Sequence, residues 1–214
     1  AEERYIEPYL KKGLNVVNMN YRLKRGIPIA TTDLTNALNF LKANNSDYDL
    51  NLNNIILTGF SAGAQIATNV GLAQNNKSFP DKLIDGVTIK AVINFSGPVD
   101  DLDEIEKIFI DFDYEPFSNA GKALFPSDGY AKKEVVSVYE PITYFDEKDP
   151  SVFLWHGGMD NQIPPETFVD FTSNLRKNND VVSYIPDGKH SPTEKELKSA
   201  YTKIFQFLDD LKNK

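Results

Sequence analysis

Residues 54–67, Asn-Ile-Ile-Leu-Thr-Gly-Phe-Ser-Ala-Gly-Ala-Gln-Ile-Ala, decide the fold. Asn54–Thr58 is a short apolar run bounded by turn residues, the length and composition of a buried strand. Gly59-Phe60-Ser61-Ala62-Gly63 follows, and residues 62–74 then read as a helix. A strand that turns into a helix within so few residues must bend sharply. Glycine at both ends of the turn leaves room where a Cβ would strike neighbouring backbone. A serine at the apex would be held in strained geometry beside a helix N-terminus, whose unpaired N–H groups favour negative charge. The alternative reading of the same residues is an ordinary glycine-rich strand-to-helix turn.

Outward from this turn, short apolar runs alternate with longer amphipathic stretches, the pattern of βα units around a mostly parallel sheet. Leu14–Met19, Lys90–Phe95, Ser151–His156 and Val181–Pro186 are the other strand candidates. Helices are expected over residues 2–12, closed by Gly13, and over 165–177 and 193–210. Another is expected to start at a Thr31 or Thr32 cap and to carry Leu34, Ala37, Leu38 and Leu41 on one face. The stretch 101–149 breaks the alternation. It holds one amphipathic helix, DLDEIEKIFI, and then Pro, Gly and aromatic residues around Phe117, Phe125 and Tyr130. Such a length between two strands reads either as a lid over an active site or as a helical excursion packed on the sheet.

Composition bounds the chemistry. The 214 residues fit a single α/β domain, residues 1–214, better than two. The net charge of -8 argues against nucleic acid, which is bound through clustered Lys and Arg. No apolar run is long enough for a membrane helix. With no Cys and only His156 and His190, thiolate catalysis is excluded and a metal site or other cofactor is not expected. The absence of Cys leaves the compartment open, and a start unlike a signal peptide favours the cytoplasm.

Two further segments supply partners for Ser61. Trp155–Pro164 (WHGGMDNQIP) places Asp160 in a turn just past a strand's C-terminal end, where open α/β sheets build their sites. Turn chemistry alone would also favour Asp there. Gly188-Lys189-His190 lies between the last strand and the last helix, so His190 can swing over the sheet edge toward Ser61. A serine hydroxyl needs a base to become a nucleophile, imidazole suits that task, and a carboxylate fixes its tautomer. The chain order Ser61, Asp160, His190 selects His190 over His156, which reads as structural. Asp187 competes with Asp160 for the role of acid, and the Ala62 N–H is a candidate oxyanion donor. His190 is thus expected within hydrogen-bond reach of both Ser61 and Asp160.

These residues together resemble the α/β-hydrolase superfamily, and within it small bacterial esterases related to the hormone-sensitive-lipase group and to feruloyl or acetyl-xylan esterase-like enzymes. The resemblance runs through LNVVNMNYRL (14–23), Asp33 as a helix start, NIILTGFSAGAQIA, NFSGPVD (94–100), the acid segment 140–164, and GKH (188–190). It implies a carboxylic-ester hydrolase acting on small esters through an acyl-enzyme. An amidase or peptidase with the same triad and a non-catalytic binding protein are the competing readings. Two departures stand out. Ala64 and Gln65 replace part of the usual S-A-G-G run. The family's His-Gly-Gly oxyanion loop and third strand would lie before residue 1, so the resemblance implies a domain that is N-terminally incomplete as given, with an empty slot between Leu14–Met19 and Asn54–Thr58.

Overall fold

The computed structural model describes residues 3–23, 25–100, 137–175 and 180–212. Helix α1 (Glu3–Lys11) ends at Gly13, which takes a left-handed φ of 76°. Helix α2 (Gly26–Ala43) and the short α3 (Asn45–Tyr48) lead into strand β1 (Ile55–Phe60). Helix α4 (Ala62–Ala73), β2 (Ile89–Phe95), β3 (Ser151–Gly157), α5 (Val169–Leu175), β4 (Val181–Ile185) and α6 (Glu194–Lys212) follow. The four strands pair in parallel in the order β1-β2-β3-β4.

Burial on both faces explains why β2 and β3 read as near-continuous apolar runs. Val92, Val152 and Leu154 point into a core built with Ile66, Val70, Phe79 and Phe171. Their alternating neighbours Ile93, Phe95, Phe153 and Trp155 point to the other face, against Tyr9 of α1 and Tyr201, Ile204 and Phe207 of α6. A sheet sandwiched in this way presents its strand ends, rather than its faces, to a ligand.

Three expectations fail, each for a physical reason. Leu14–Met19 forms no strand: Leu14 and Val16 turn partly toward the core and Val17 outward, but no described residue supplies the ladder partner that a strand needs. Among the described residues, β1 pairs with β2 alone. Helix α2 starts several residues before the expected Thr caps, with Pro28 in its first turn, where a missing N–H costs nothing. Thr31 is therefore buried mid-helix, and Thr32 Oγ1 donates back to the Pro28 carbonyl (3.1 Å) and to Asp81 (3.0 Å). Asp33 likewise begins no helix. Its carboxylate accepts from the Arg22 guanidinium at 2.6 Å, which holds its pKa below the usual range.

Of the 101–149 excursion, residues 101–136 lie outside the described residues, with Phe117, Phe125 and Tyr130 among them. Its later part does pack on the sheet side: Tyr139 and Tyr144 meet the Phe79 ring edge-on at 5.7 and 5.3 Å. Among the described residues no helix is long and apolar enough to cross a membrane.

Candidate active site

Ser61 sits between β1 and α4 with φ 54° and ψ -125°, a conformation that side chains other than glycine rarely adopt. Backbone strain of this kind costs on the order of 1–3 kcal/mol and persists only where surrounding structure enforces it. The enforcement is visible. Ser61 N–H donates to the Phe95 carbonyl at 2.8 Å, and its own carbonyl accepts from Ala64 N at 2.9 Å and Gln65 N at 3.1 Å. A Cβ on Gly59 would fall 2.3 Å from the Gly63 backbone, so the turn closes only with glycine there. Ser61 occupies the N-cap position of α4, yet its hydroxyl makes no capping bond. Ala62 opens the helix, where the N–H groups of the first turn have no carbonyl four residues back.

The acid turn lies past the end of β3. Asp160 is 5% exposed. Its Oδ1 accepts the N–H groups of Gln162 and Ile163, both at 2.8 Å, and its Oδ2 lies 2.7 Å from His190 Nδ1. A carboxylate is acceptor-only, so Nδ1–H is the donor in this bond. Two glycines let the acid turn and the His loop approach this closely. Gly158 N–H donates to the Ile185 carbonyl (2.7 Å) and Met159 N–H to the Gly188 carbonyl (2.8 Å). A Cβ on Gly157 would come within 2.5 Å of the Gly188 and Lys189 backbone.

His190 is buried, with its ring 4.9 Å from that of Phe60, the residue before Ser61. Tyr5 of α1 also stacks on Phe60 at 5.6 Å, so α1 packs against the turn. The contact between the elbow and His190 thus runs through Phe60, and of the two expected partners of the imidazole only Asp160 is hydrogen-bonded to it among the described residues, not Ser61. Asp187 is exposed and Asp160 is the carboxylate on His190. His156 is fully buried, donates Nε2–H to the Ile163 carbonyl at 2.9 Å and packs on Phe168 at 4.2 Å. Burial lowers its pKa, so it holds the acid turn as a neutral ring.

Sequence reading did not single out Ser96. It follows β2, is fully buried with φ 54°, and donates its hydroxyl to the His190 carbonyl at 2.8 Å. The only signal was its place in NFSGPVD. Asp100, in the same segment, accepts the N–H groups of Phe171 (2.7 Å) and Asp170 (3.2 Å) and so fixes α5 beside the acid turn. Burial pushes its pKa up to about 6. Among the described residues no cluster of His, Asp and Glu is arranged to hold a metal ion.

Known proteins share this architecture. A bifunctional GH43-CE protein from Bacteroides eggerthii superposes with a TM-score of 0.74 at 25% identity, over 95% of this chain and 31% of its own length. The chain thus spans about a third of that relative. A truncated carbohydrate esterase from gut microbiota superposes at 0.72 with 22% identity, over 97% of this chain and 77% of its own. A lipase/esterase from Lactobacillus plantarum gives 0.68 with 16% identity, over 98% and 80%. These last two likenesses speak to the fold, which is that of the α/β-hydrolases. No curated protein matches the chain. The BD-FAE family model matches residues 1–175, a span that takes in Ser61 and Asp160 and stops before His190. The chain belongs to the BD-FAE family and has its α/β-hydrolase fold.

Proposed function

We propose that the protein is a carboxylic-ester hydrolase in which Ser61, His190 and Asp160 form the catalytic triad. The observation that carries this reading is the buried 2.7 Å bond from His190 Nδ1 to Asp160 Oδ2, beside a serine held at φ 54° with no capping bond. Ser61 Oγ attacks the ester carbonyl while His190 Nε2 takes its proton. The Ala62 N–H donates to the oxyanion of the tetrahedral intermediate. The intermediate collapses as the imidazolium gives its proton to the leaving alcohol. A water then repeats the sequence on the acyl-Ser61 ester, releasing the acid and the free serine. The Ser61–His190 contact closes in the substrate complex, as such contacts commonly do.

The carbohydrate esterases among the structural relatives support esters borne on carbohydrate as the substrate class. The chemistry is tested with p-nitrophenyl acetate and the matching anilide, in wild type and Ser61→Ala. Ester turnover that vanishes in Ser61→Ala is expected, with a loss of roughly 10⁶ in kcat by analogy with a serine protease. Turnover of the anilide alone would favour an amidase. Inertness to both would favour a binding protein, and ester turnover retained in Ser61→Ala would overturn the triad.

A further inference from the structure

We infer that Ser96 is a positioning residue whose buried hydroxyl sets how near His190 comes to Ser61. The inference rests on the reading of Ser61 and His190 as nucleophile and base.

Ser61 and Ser96 are counterparts on adjacent strands. Phe60 and Phe95 are register partners at the end of the β1–β2 ladder, so the two serines sit side by side just beyond it. Each donates its N–H to the next strand, Ser61 to the Phe95 carbonyl (2.8 Å) and Ser96 to the Trp155 carbonyl (2.9 Å). Both adopt φ 54°, a backbone state for which glycine is the unstrained choice. At Ser61 a side chain in that state is explained by the proposed chemistry. At Ser96 the explanation is the hydroxyl, which reaches across 94 residues of sequence to the carbonyl of His190 itself.

The turn that carries Ser96 is in turn fixed to the helix behind Ser61. Gly97 N–H donates to Asn94 Oδ1 at 2.8 Å. Asn94 Nδ2 donates to Thr68 Oγ1 at 2.9 Å, and Thr68 donates to the Ala64 carbonyl of α4 at 2.7 Å. Ser96, Asn94 and Thr68 are all fully buried, so water does not compete for these bonds. A Cβ on Gly97 would lie 2.7 Å from Ala64 Cβ and 2.9 Å from the Ser61 carbonyl, so no slack separates this turn from the elbow. One segment, 94–97, thereby holds the nucleophile's helix on one side and the base's backbone on the other. Asp160 fixes how the imidazole is turned, whereas Ser96 fixes where its backbone stands relative to Ser61.

The test uses the full-length protein as wild type, Ser96→Ala, Ser96→Gly and Ser61→Ala. The readouts are the labelling rate with a fluorophosphonate, the melting temperature, and the low-field proton resonance of His190 Nδ1–H. Ser96→Gly relieves the backbone while removing the hydroxyl, so it stays folded where Ser96→Ala fails to, and it then decides the question alone. Both variants are expected to label at least about 10-fold more slowly, a modest share of what a 1 Å misplacement can cost. The low-field resonance is expected to persist, because the bond to Asp160 survives. Labelling at the wild-type rate in both variants, or full recovery in Ser96→Gly alone, would overturn the inference. Loss of the resonance together with labelling would also overturn it, since the hydroxyl would then hold the loop together rather than place the base. A wild type inert to the probe brings down the triad and this inference together. A reactive wild type with unaffected Ser96 variants brings down this inference only.

Discussion

His190 Nδ1 and Asp160 Oδ2 lie 2.7 Å apart inside the protein, joined across 30 residues of sequence by the turn after β3 and the loop after β4. The other carboxylate oxygen is already committed to two backbone N–H groups. Asp160→Asn should therefore keep the turn while offering His190 an amide that no longer enforces a proton on Nδ1. The expected outcome is a fall in kcat on the order of 10⁴, as for the same change in a well-studied serine protease, with little change in melting temperature. Ester kinetics and thermal melts check it, and activity within about 10-fold of wild type would remove Asp160 from the reaction.

Gly157 is where the acid turn and the His loop touch. Gly157→Ala would put a methyl group 2.5 Å from the backbone of Gly188 and Lys189, and backbone cannot rotate away as a side chain can. Forced overpacking of this kind costs about 1–3 kcal/mol. Pushing His190 outward by a fraction of an ångström should also lower kcat by about 10–100-fold. Denaturant melts and turnover should move together in this variant. Unchanged values in both would mean that the two loops do not meet as described.

His156 contributes to stability in a pH-dependent way. Burial lowers its pKa below the ordinary 6.5, so the unfolded chain binds a proton more readily than the folded one does. Its contribution is fully present above about pH 6.5 and is lost as pH falls below that value through the folded pKa. His156→Phe keeps the packing on Phe168 but leaves the buried Ile163 carbonyl without its donor, at a cost of about 1–3 kcal/mol at neutral pH. Melts from pH 8 to pH 5 should show a gap between wild type and variant that narrows on the acid side. A gap independent of pH would mean that His156 does not titrate between the two states.

Much of this architecture was legible in the residues. Strands β2 and β3 announce themselves because a sheet covered on both faces favours apolar side chains at nearly every position, as in Ala91–Ile93, Phe95 and Val152–Trp155. Ser61, Asp160 and His190 were readable because each follows such a strand within a turn rich in Gly, Asp or Lys. Leu14–Met19 has strand composition too, yet pairing is a property of neighbours and not of the segment itself. The start of α2 was hidden because Thr31 and Thr32 resemble caps, whereas Pro28 marks the true first turn. Ser96 was legible only as a member of NFSGPVD, with no sign of a role. Its significance comes from a left-handed φ and from a hydrogen bond to a residue 94 positions away, neither of which leaves a local pattern.

The central claim is that Ser61 becomes a nucleophile because His190 takes its proton. The most direct measurement is mass spectrometry of the protein after reaction with a fluorophosphonate, with the modified residue located by peptide mapping in wild type, His190→Ala and Ser61→Ala. One phosphonyl group on Ser61 in the wild type is predicted, with labelling slowed on the order of 10³-fold or more in His190→Ala and absent in Ser61→Ala. Adduct on any other residue, or Ser61 labelled as fast without His190 as with it, would contradict the account.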